Sequence, residues 1–65
     1  MLVVLNGERT EIASRDLAAL LNEKDYGHTQ VAIAVNQRVV PRAAWTQTAL
    51  NSGDQIEIIT PRQGG

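Results

Sequence analysis

The first residues of the chain form an apolar run that is followed by a turn dipeptide, and this pattern predicts a β-hairpin. Residues 2–5 form a short apolar run that includes β-branched valines. This run has no polar side, which favours an inner strand covered at least in part on both faces. The dipeptide Asn6-Gly7 follows it and suits a two-residue turn, because both positions tolerate a positive φ. We therefore predict that residues 8–13 form the returning strand.

A stripe of leucines predicts one main helix at residues 15–24. Its members stand at positions i, i+3 and i+4 and share one face, and they are Leu17, Leu20 and Leu21. Ser14 is a good N-cap, because its hydroxyl can accept a hydrogen bond from an unpaired backbone N–H. Asp16 in the first turn suits the positive end of the helix dipole. Polar residues and then Gly27 are expected to end the helix.

The second half of the chain predicts three further strands. They cover residues 30–35, 39–40 and 55–60. In the first of them the larger side chains, Val31, Ile33 and Val35, share one face, which we expect to point to the core. Pro41 ends the second strand because proline has no backbone N–H for the ladder, and one helical turn is expected at residues 42–45.

The last strand divides its side chains between two faces. Ile56 and Ile58 share one face, and Glu57 and Ile59 share the other. A turn cluster precedes this strand at residues 51–54, where asparagine, serine, glycine and aspartate stand together. The alternation predicts that one face of the strand is buried and the other is presented to solvent or to a partner.

The order of these elements predicts the fold class. A β-hairpin, a helix, a strand, a short strand and a last strand favour a small mixed sheet with the helix packed on one face. This is the arrangement of an α+β fold of the ubiquitin-like β-grasp type. We predict one domain, which consists of a β-grasp body at residues 1–60 and a flexible C-terminal tail at residues 61–65.

Composition and charge exclude several functions. The chain has 65 residues, of which 43% are hydrophobic, and this suits one small globular domain. It has no cysteine, so disulfides, thiolate zinc sites and a cysteine nucleophile are excluded. A net charge of -1 and a pI of about 5.6 lack the basic excess of a nucleic-acid or anionic-membrane binder. No apolar run is long enough to span a bilayer, and we expect a cytoplasmic protein.

No group of residues in the sequence indicates catalysis, a metal site or a bound cofactor. The carboxylates are scattered, and the single histidine, His28, is expected in a solvated loop. Trp45 is expected to anchor the core or a sheet edge, and a contact in a protein interface is the alternative. Three arginines are expected on a solvated or protein-docking face rather than at an RNA site, and they are Arg38, Arg42 and Arg62.

The C-terminal Gly64-Gly65 is the most informative chemical feature. Neither residue has a Cβ atom, so the tail can enter a narrow channel in a partner enzyme. Gly65 would present its α-carboxylate with no side chain to shield the carbonyl carbon. An ionised carboxylate is a poor acyl electrophile, and conversion to an acyl adenylate with ATP would supply a leaving group. Taken alone, a diglycine also fits a frayed terminus or a truncation boundary.

Several segments together resemble the ThiS family, the sulfur carriers of thiamine thiazole biosynthesis. These segments are Leu5-Asn6-Gly7, Val35-Asn36, Val39-Val40-Pro41-Arg42 with Trp45, Gly53-Asp54-Gln55-Ile56-Glu57, and Gly64-Gly65. The resemblance covers essentially the whole chain. Its most specific parts are the stretch from Asn36 to Trp45 and the terminal diglycine.

The resemblance implies a chemical role for the end of the tail. It implies that a ThiF-like adenylyltransferase activates Gly65 with ATP and that sulfur from a persulfide donor then replaces AMP. The resulting thiocarboxylate would donate its sulfur to a ThiG-like thiazole synthase. Gly64 and Gly65 would enter the partner active site, and the chain would be a protein cosubstrate and not an enzyme.

Contacts between the body and its partners are expected on the exposed side of the sheet. The candidates are Ile59, Arg62 and Gln63, because an outward isoleucine beside a polar tail can supply apolar contact. The alternative for Ile59 is that it packs beneath other residues of its own chain.

Two other functions stay open at this point. Another diglycine β-grasp carrier, such as the small subunit of molybdopterin synthase or a protein modifier, would begin with the same chemistry at Gly65. A plain β-grasp interaction domain would carry an incidental diglycine, and deletion of Gly64 and Gly65 would leave its partner binding intact.

Overall fold

The computed structural model describes residues 1–26 and 30–60 of the chain. Its elements, in chain order, are β1 Leu2–Leu5, β2 Glu8–Glu11, α1 Leu17–Glu23, β3 Ala32–Val35, β4 Arg38–Val40, a 3-10 helix Arg42–Gln47 and β5 Gln55–Ile59. The predictions that concern His28 and the tail at residues 61–65 lie outside the described residues.

The strands form one mixed sheet in the order β2-β1-β5-β3-β4. The neighbours β1 and β5 run parallel, and the other three neighbouring pairs are antiparallel. A helix between β2 and β3 supplies the crossover that a mixed sheet requires. The predicted element order and mixed sheet are confirmed, and β5 takes the central position.

Each hairpin turns at a pair of residues with positive φ. The first pair is Asn6 at 51° and Gly7 at 85°, and the second is Asn36 at 52° and Gln37 at 73°. Asparagine and glycine adopt this left-handed region more readily than other residues do, which is why the first turn was predictable from sequence. The second turn places a glutamine there, which carries a local conformational strain.

One hydrophobic cluster lies between the sheet and the two helices. Its buried members are Val3, Ile12, Leu17, Leu20, Leu21, Ile33, Trp45, Leu50, Ile56 and Ile58. The predicted leucine stripe therefore faces the core, and Ile56 and Ile58 form the buried face of β5 as predicted.

β1 is an inner strand, and its two faces are covered to different extents. Val3 is fully buried in the core, whereas Leu2 on the opposite face is 41% exposed. The predicted cover is complete at Val3 and only partial on the other face, where Val4 is half-buried, because α1 and the 3-10 helix both pack on the core side. The other face of the sheet, which we call the outer face, carries Leu2, Ala32, Val39, Glu57 and Ile59.

The N-cap of α1 is Asp16 and not Ser14. Asp16 has an extended backbone, and its Oδ1 accepts a hydrogen bond from the backbone N–H of Ala19 at 2.8 Å. The helix consequently begins at Leu17 and not at residue 15. An N-cap oxygen satisfies a free N–H two or three residues further on, and Asp16 has this spacing from Ala19.

Ser14 is instead bound to the far end of the helix through Glu23. The Glu23 carboxylate accepts hydrogen bonds from the Ser14 hydroxyl, from the Ser14 backbone N–H at 3.0 Å and from the Ala13 backbone N–H at 3.0 Å. These bonds hold the loop before α1 against the helix. They also explain why β2 ends at Glu11 and not at residue 13, since the Ala13 N–H is bound to a side chain rather than to β1.

Other predicted elements differ from the structure by a few residues at their ends, where element boundaries are least defined. β3 begins at Ala32, β4 includes Arg38, and the turn after Pro41 extends into a 3-10 helix to Gln47.

Candidate functional site

The described part of the candidate site is the end of β5, from which residues 61–65 continue. The predicted site residues Gly64 and Gly65, and the predicted contacts Arg62 and Gln63, lie outside the described residues. Ile59 is the predicted contact that the structure describes, and it is the last residue of β5.

Ile59 is exposed on the outer face of the sheet. It lies opposite Ala32 of β3, and 58% of its surface is accessible. The alternative that it packs beneath other residues of the chain is wrong, because α1 covers the opposite face and alanine is too small to cover an isoleucine. An apolar side chain is thus presented directly beside the start of the tail.

A shallow cleft of about 430 Å³ adjoins this isoleucine. It is lined by Gln30, Val31, Ala32, Arg42 and Ile59. The cleft combines an apolar floor with one guanidinium group, so it can accept an apolar side chain that stands beside an acidic group. Sequence reasoning did not predict this cleft, because the segments that line it are distant in the chain.

Trp45 orients Arg42 rather than forming part of the surface itself. The tryptophan is only 6% exposed, and its Nε1 donates a hydrogen bond to the backbone oxygen of Val40 at 2.8 Å. The guanidinium carbon of Arg42 lies 4.9 Å from the centre of the ring, which is cation–π distance. The core interpretation of Trp45 is confirmed, and the cation above it is the accessible group.

The outer face also carries an exposed valine further from the tail. Val39 lies on the edge strand β4, opposite Ala34, and is 77% exposed. Glu57 is exposed on β5 and lies opposite Ala34 of β3, on the side away from Val39. The strand predicted at residues 39–40 contains only valines, so the sequence pattern did not indicate which of the two is exposed.

The described residues give no sign of a metal site or a membrane span. Within residues 1–26 and 30–60, no group of histidine, aspartate and glutamate residues is placed to hold a metal ion. Over the same ranges, none of the helices has the length and apolar character that a membrane crossing requires.

Comparison with known proteins identifies relatives of the whole chain. The model of the ThiS family matches residues 3–65. The sulfur carrier protein ThiS of Escherichia coli (strain K12) is 32% identical over 66 residues, and the match covers 100% of both chains. A thiazole synthase of Paramagnetospirillum magneticum is 39% identical over 66 residues. That match covers 100% of this chain but 20% of the relative, so the chain spans about a fifth of its length.

A solved structure supports the fold independently. The crystal structure of thiamine biosynthesis protein ThiS from Geobacter metallireducens superposes with a TM-score of 0.85 and covers 100% of both chains. Its sequence identity is 23%, so this likeness speaks to the fold. The predicted ubiquitin-like β-grasp fold is confirmed.

Proposed function

The chain belongs to the ThiS family, and on this basis we propose that it is a sulfur carrier of thiamine biosynthesis. The observation that carries the proposal is the extent of the family match, which runs from residue 3 to residue 65 and so includes the terminal diglycine. The end-to-end match with the Escherichia coli carrier supports the same role for a chain of this size.

The proposed chemistry takes place at the carboxylate of Gly65. A ThiF-like adenylyltransferase joins this carboxylate to the AMP part of ATP and releases pyrophosphate. The outer sulfur of a persulfide then attacks the acyl carbon, and AMP leaves. The product is an acyl disulfide. A thiol then attacks the sulfur that is bonded to the donor's own carbon, which breaks the S–S bond, releases a disulfide and leaves a thiocarboxylate on Gly65.

The chain contributes the reacting group and the means of presenting it. Gly64 and Gly65 keep the tail slender enough for a closed active site. The body offers no catalytic residue in this proposal, so the chain is a cosubstrate whose partners perform the chemistry. ATP is consumed by the adenylating partner and is not held by the carrier.

The proposed docking surface is the outer face at Ile59 together with the cleft that adjoins it. Ile59 supplies an exposed apolar contact, and Arg42 supplies a cation held over Trp45. Arg62 and Gln63 would extend this contact along the tail. A surface at the base of the tail lets the body bind the partner while the tail reaches its nucleotide.

Thiazole synthase is the proposed recipient of the sulfur. The relative from Paramagnetospirillum magneticum bears that name and contains a segment like this chain within one longer polypeptide. A covalent connection between two modules supports their joint action, since it raises the effective concentration of each near the other.

The first test measures intact mass after incubation with ATP, a ThiF-like enzyme and a persulfide source. The wild-type chain should gain the mass that corresponds to one oxygen replaced by sulfur, and a chain that lacks Gly65 should not. The adenylating enzyme must be shown active on its own carrier. The absence of a mass gain with the cognate partners would contradict the proposal.

A second measurement identifies the acceptor. Thiocarboxylated carrier added to thiazole synthase should lose its sulfur as the thiazole forms. A thiocarboxylate that forms but is consumed only by molybdopterin synthase, or a conjugate to a protein amine, would assign the chain to another branch of diglycine carriers.

A further inference from the structure

The C-terminal half of β5 extends beyond its neighbour β1. In the described part of the chain, β1 pairs with β5 at two positions, and the second joins Leu5 to Ile56. The chain then turns away into the hairpin at Asn6, while β5 continues to Ile59. The end of β5 therefore leads towards the tail without a ladder partner from β1.

Asn6 supplies the contact that the β1 ladder lacks. Its backbone N–H donates to the oxygen of Ile56 at 2.8 Å. Its side-chain Oδ1 accepts a hydrogen bond from the backbone N–H of Ile58 at 2.8 Å. Because Ile58 directly precedes Ile59, this bond also holds the backbone from which Ile59 and then Thr60 continue.

Asn36 makes an equivalent pair of contacts at the other end of β5. Its backbone N–H donates to the oxygen of Gln55 at 2.7 Å, and its Oδ1 accepts from the Gln55 N–H at 3.0 Å. The two asparagines have nearly the same φ, 51° for Asn6 and 52° for Asn36. They differ in location, because Asn36 holds the start of β5 and Asn6 holds the end that bears the tail.

We propose that Asn6 is a positioning residue for sulfur loading, and that its side chain holds the end of β5 in the geometry the adenylating partner binds. This inference rests on the proposed carrier function. A carrier in which the backbone at Ile58 and Ile59 is already ordered loses less conformational entropy on docking. Asn6 acts through the β5 backbone, so its removal should weaken productive binding and leave the chemical step unchanged.

Asparagine suits this role for two physical reasons. The turn requires a positive φ, which asparagine adopts at lower cost than most residues. The Ile58 N–H lies beyond the last ladder pair with β1 and needs another acceptor, which the Asn6 side-chain amide oxygen provides. Glycine satisfies the first requirement and not the second, whereas aspartate satisfies both.

The kinetic test compares Asn6→Gly with Asn36→Gly in the full chain. With a ThiF-like enzyme, ATP and a persulfide source, the KM for the carrier should rise roughly fivefold in Asn6→Gly, which corresponds to one lost hydrogen bond. Its kcat should stay at the wild-type value. Asn36→Gly should keep the wild-type KM although it loses two side-chain hydrogen bonds, one from the Gln55 N–H and one to the Asp54 carboxylate. Asn6→Asp should keep it because the acceptor is retained.

Amide hydrogen exchange tests the same contact without any partner. The Ile58 amide should exchange roughly fivefold faster in Asn6→Gly than in the wild type, because its bond to the side chain is lost. The Ile58 amide of Asn36→Gly should exchange at the wild-type rate.

The outcomes separate this inference from the function on which it rests. A wild-type chain that gains sulfur, together with an unchanged KM or an unchanged Ile58 exchange rate in Asn6→Gly, overturns the positioning role alone. Equal rises of KM in both glycine variants also overturn it, since a general loss of stability would account for them. A wild-type chain that gains no sulfur from its cognate partners overturns both.

Discussion

The carboxylate of Glu23 shows how a single side chain can organise a loop. The hydrogen bond from the Ser14 hydroxyl is the main cause that lowers its pKa below the ordinary value of 4.5, and the Ala13 backbone N–H adds to the effect. Desolvation opposes this shift, and the nearby positive charge of Lys24 supports it. The folded loop therefore binds the ionised form of the Glu23 carboxyl group.

This arrangement predicts how the free energy of unfolding depends on pH. The pKa of Glu23 is lower in the folded chain than in the unfolded chain, so its contribution is present at neutral pH and is lost as the pH falls below 4.5. Glu23→Gln should lower stability at neutral pH and flatten this acid-range loss. Urea unfolding at neutral pH and at a series of acid pH values measures both effects.

The control for this prediction is Glu57→Gln. It removes an exposed carboxylate and leaves the hydrogen bonds of Glu23 in place, so the acid-range loss that is due to Glu23 should persist. An unchanged acid-range slope in Glu23→Gln would contradict the role of this carboxylate.

At the scale of elements, the start of α1 depends on one cap. The helix has only 7 residues, and so short a helix is stable mainly through its packing and its ends. Leu17 and Leu20 anchor one face in the core, while the Asp16 side chain binds the N–H of Ala19. Both contributions act on the first turn, which makes the cap a sensitive position.

We expect Asp16→Ala to lower the free energy of unfolding by about 1 kcal/mol, the usual effect of removing an N-cap. Asp16→Asn retains an oxygen acceptor and should stay close to the wild type. Chemical denaturation of the three chains measures the difference. Equal losses in the alanine and asparagine variants would show that the negative charge, and not the hydrogen bond, matters at this position.

At the scale of the whole molecule, the two faces of the sheet have different roles. The core face stabilises the fold, and the outer face is available for contact with a partner. The core face carries Ile56 and Ile58 under the helices, while Ile59 stands on the outer face. The same strand therefore joins the core to the tail. A substitution on the outer face should consequently affect partner binding without much effect on folding.

Ile59→Asp tests the proposed docking surface. The side chain is 58% exposed, so the change in unfolding free energy should be small. Affinity for the adenylating partner should fall roughly tenfold, because an apolar contact is replaced by a desolvated charge. Calorimetric titration with that partner measures the change.

Val39→Asp is the matched control for this experiment. Val39 lies on the same face and is 77% exposed, but it stands two strands away from β5. Its replacement should have the smaller effect on affinity. An equal or larger effect at Val39 would move the docking surface from the base of the tail towards the β4 edge.

Much of this protein was determined by the sequence itself, because strand alternation and helical spacing act locally. The period of two in residues 55–60 was enough to separate Ile58 from Ile59, and the leucine spacing was enough to orient α1. Asn6-Gly7 specified a turn through the conformations open to those two residues. The family resemblance then pointed to Gly65 as the residue at which the proposed chemistry takes place.

Only the tertiary structure decided which hydrogen-bond partner several polar side chains take, since more than one partner was acceptable from the local sequence. The sequence favoured Ser14 as the cap and placed Asp16 in the first turn, but the Glu23 carboxylate binds Ser14 and the cap is Asp16. Asn6 and Ile58 are 52 residues apart, so their hydrogen bond exists only when the hairpin and β5 meet in the sheet. Local preference sets the conformation of a segment, but a contact between distant segments depends on the path of the chain that joins them.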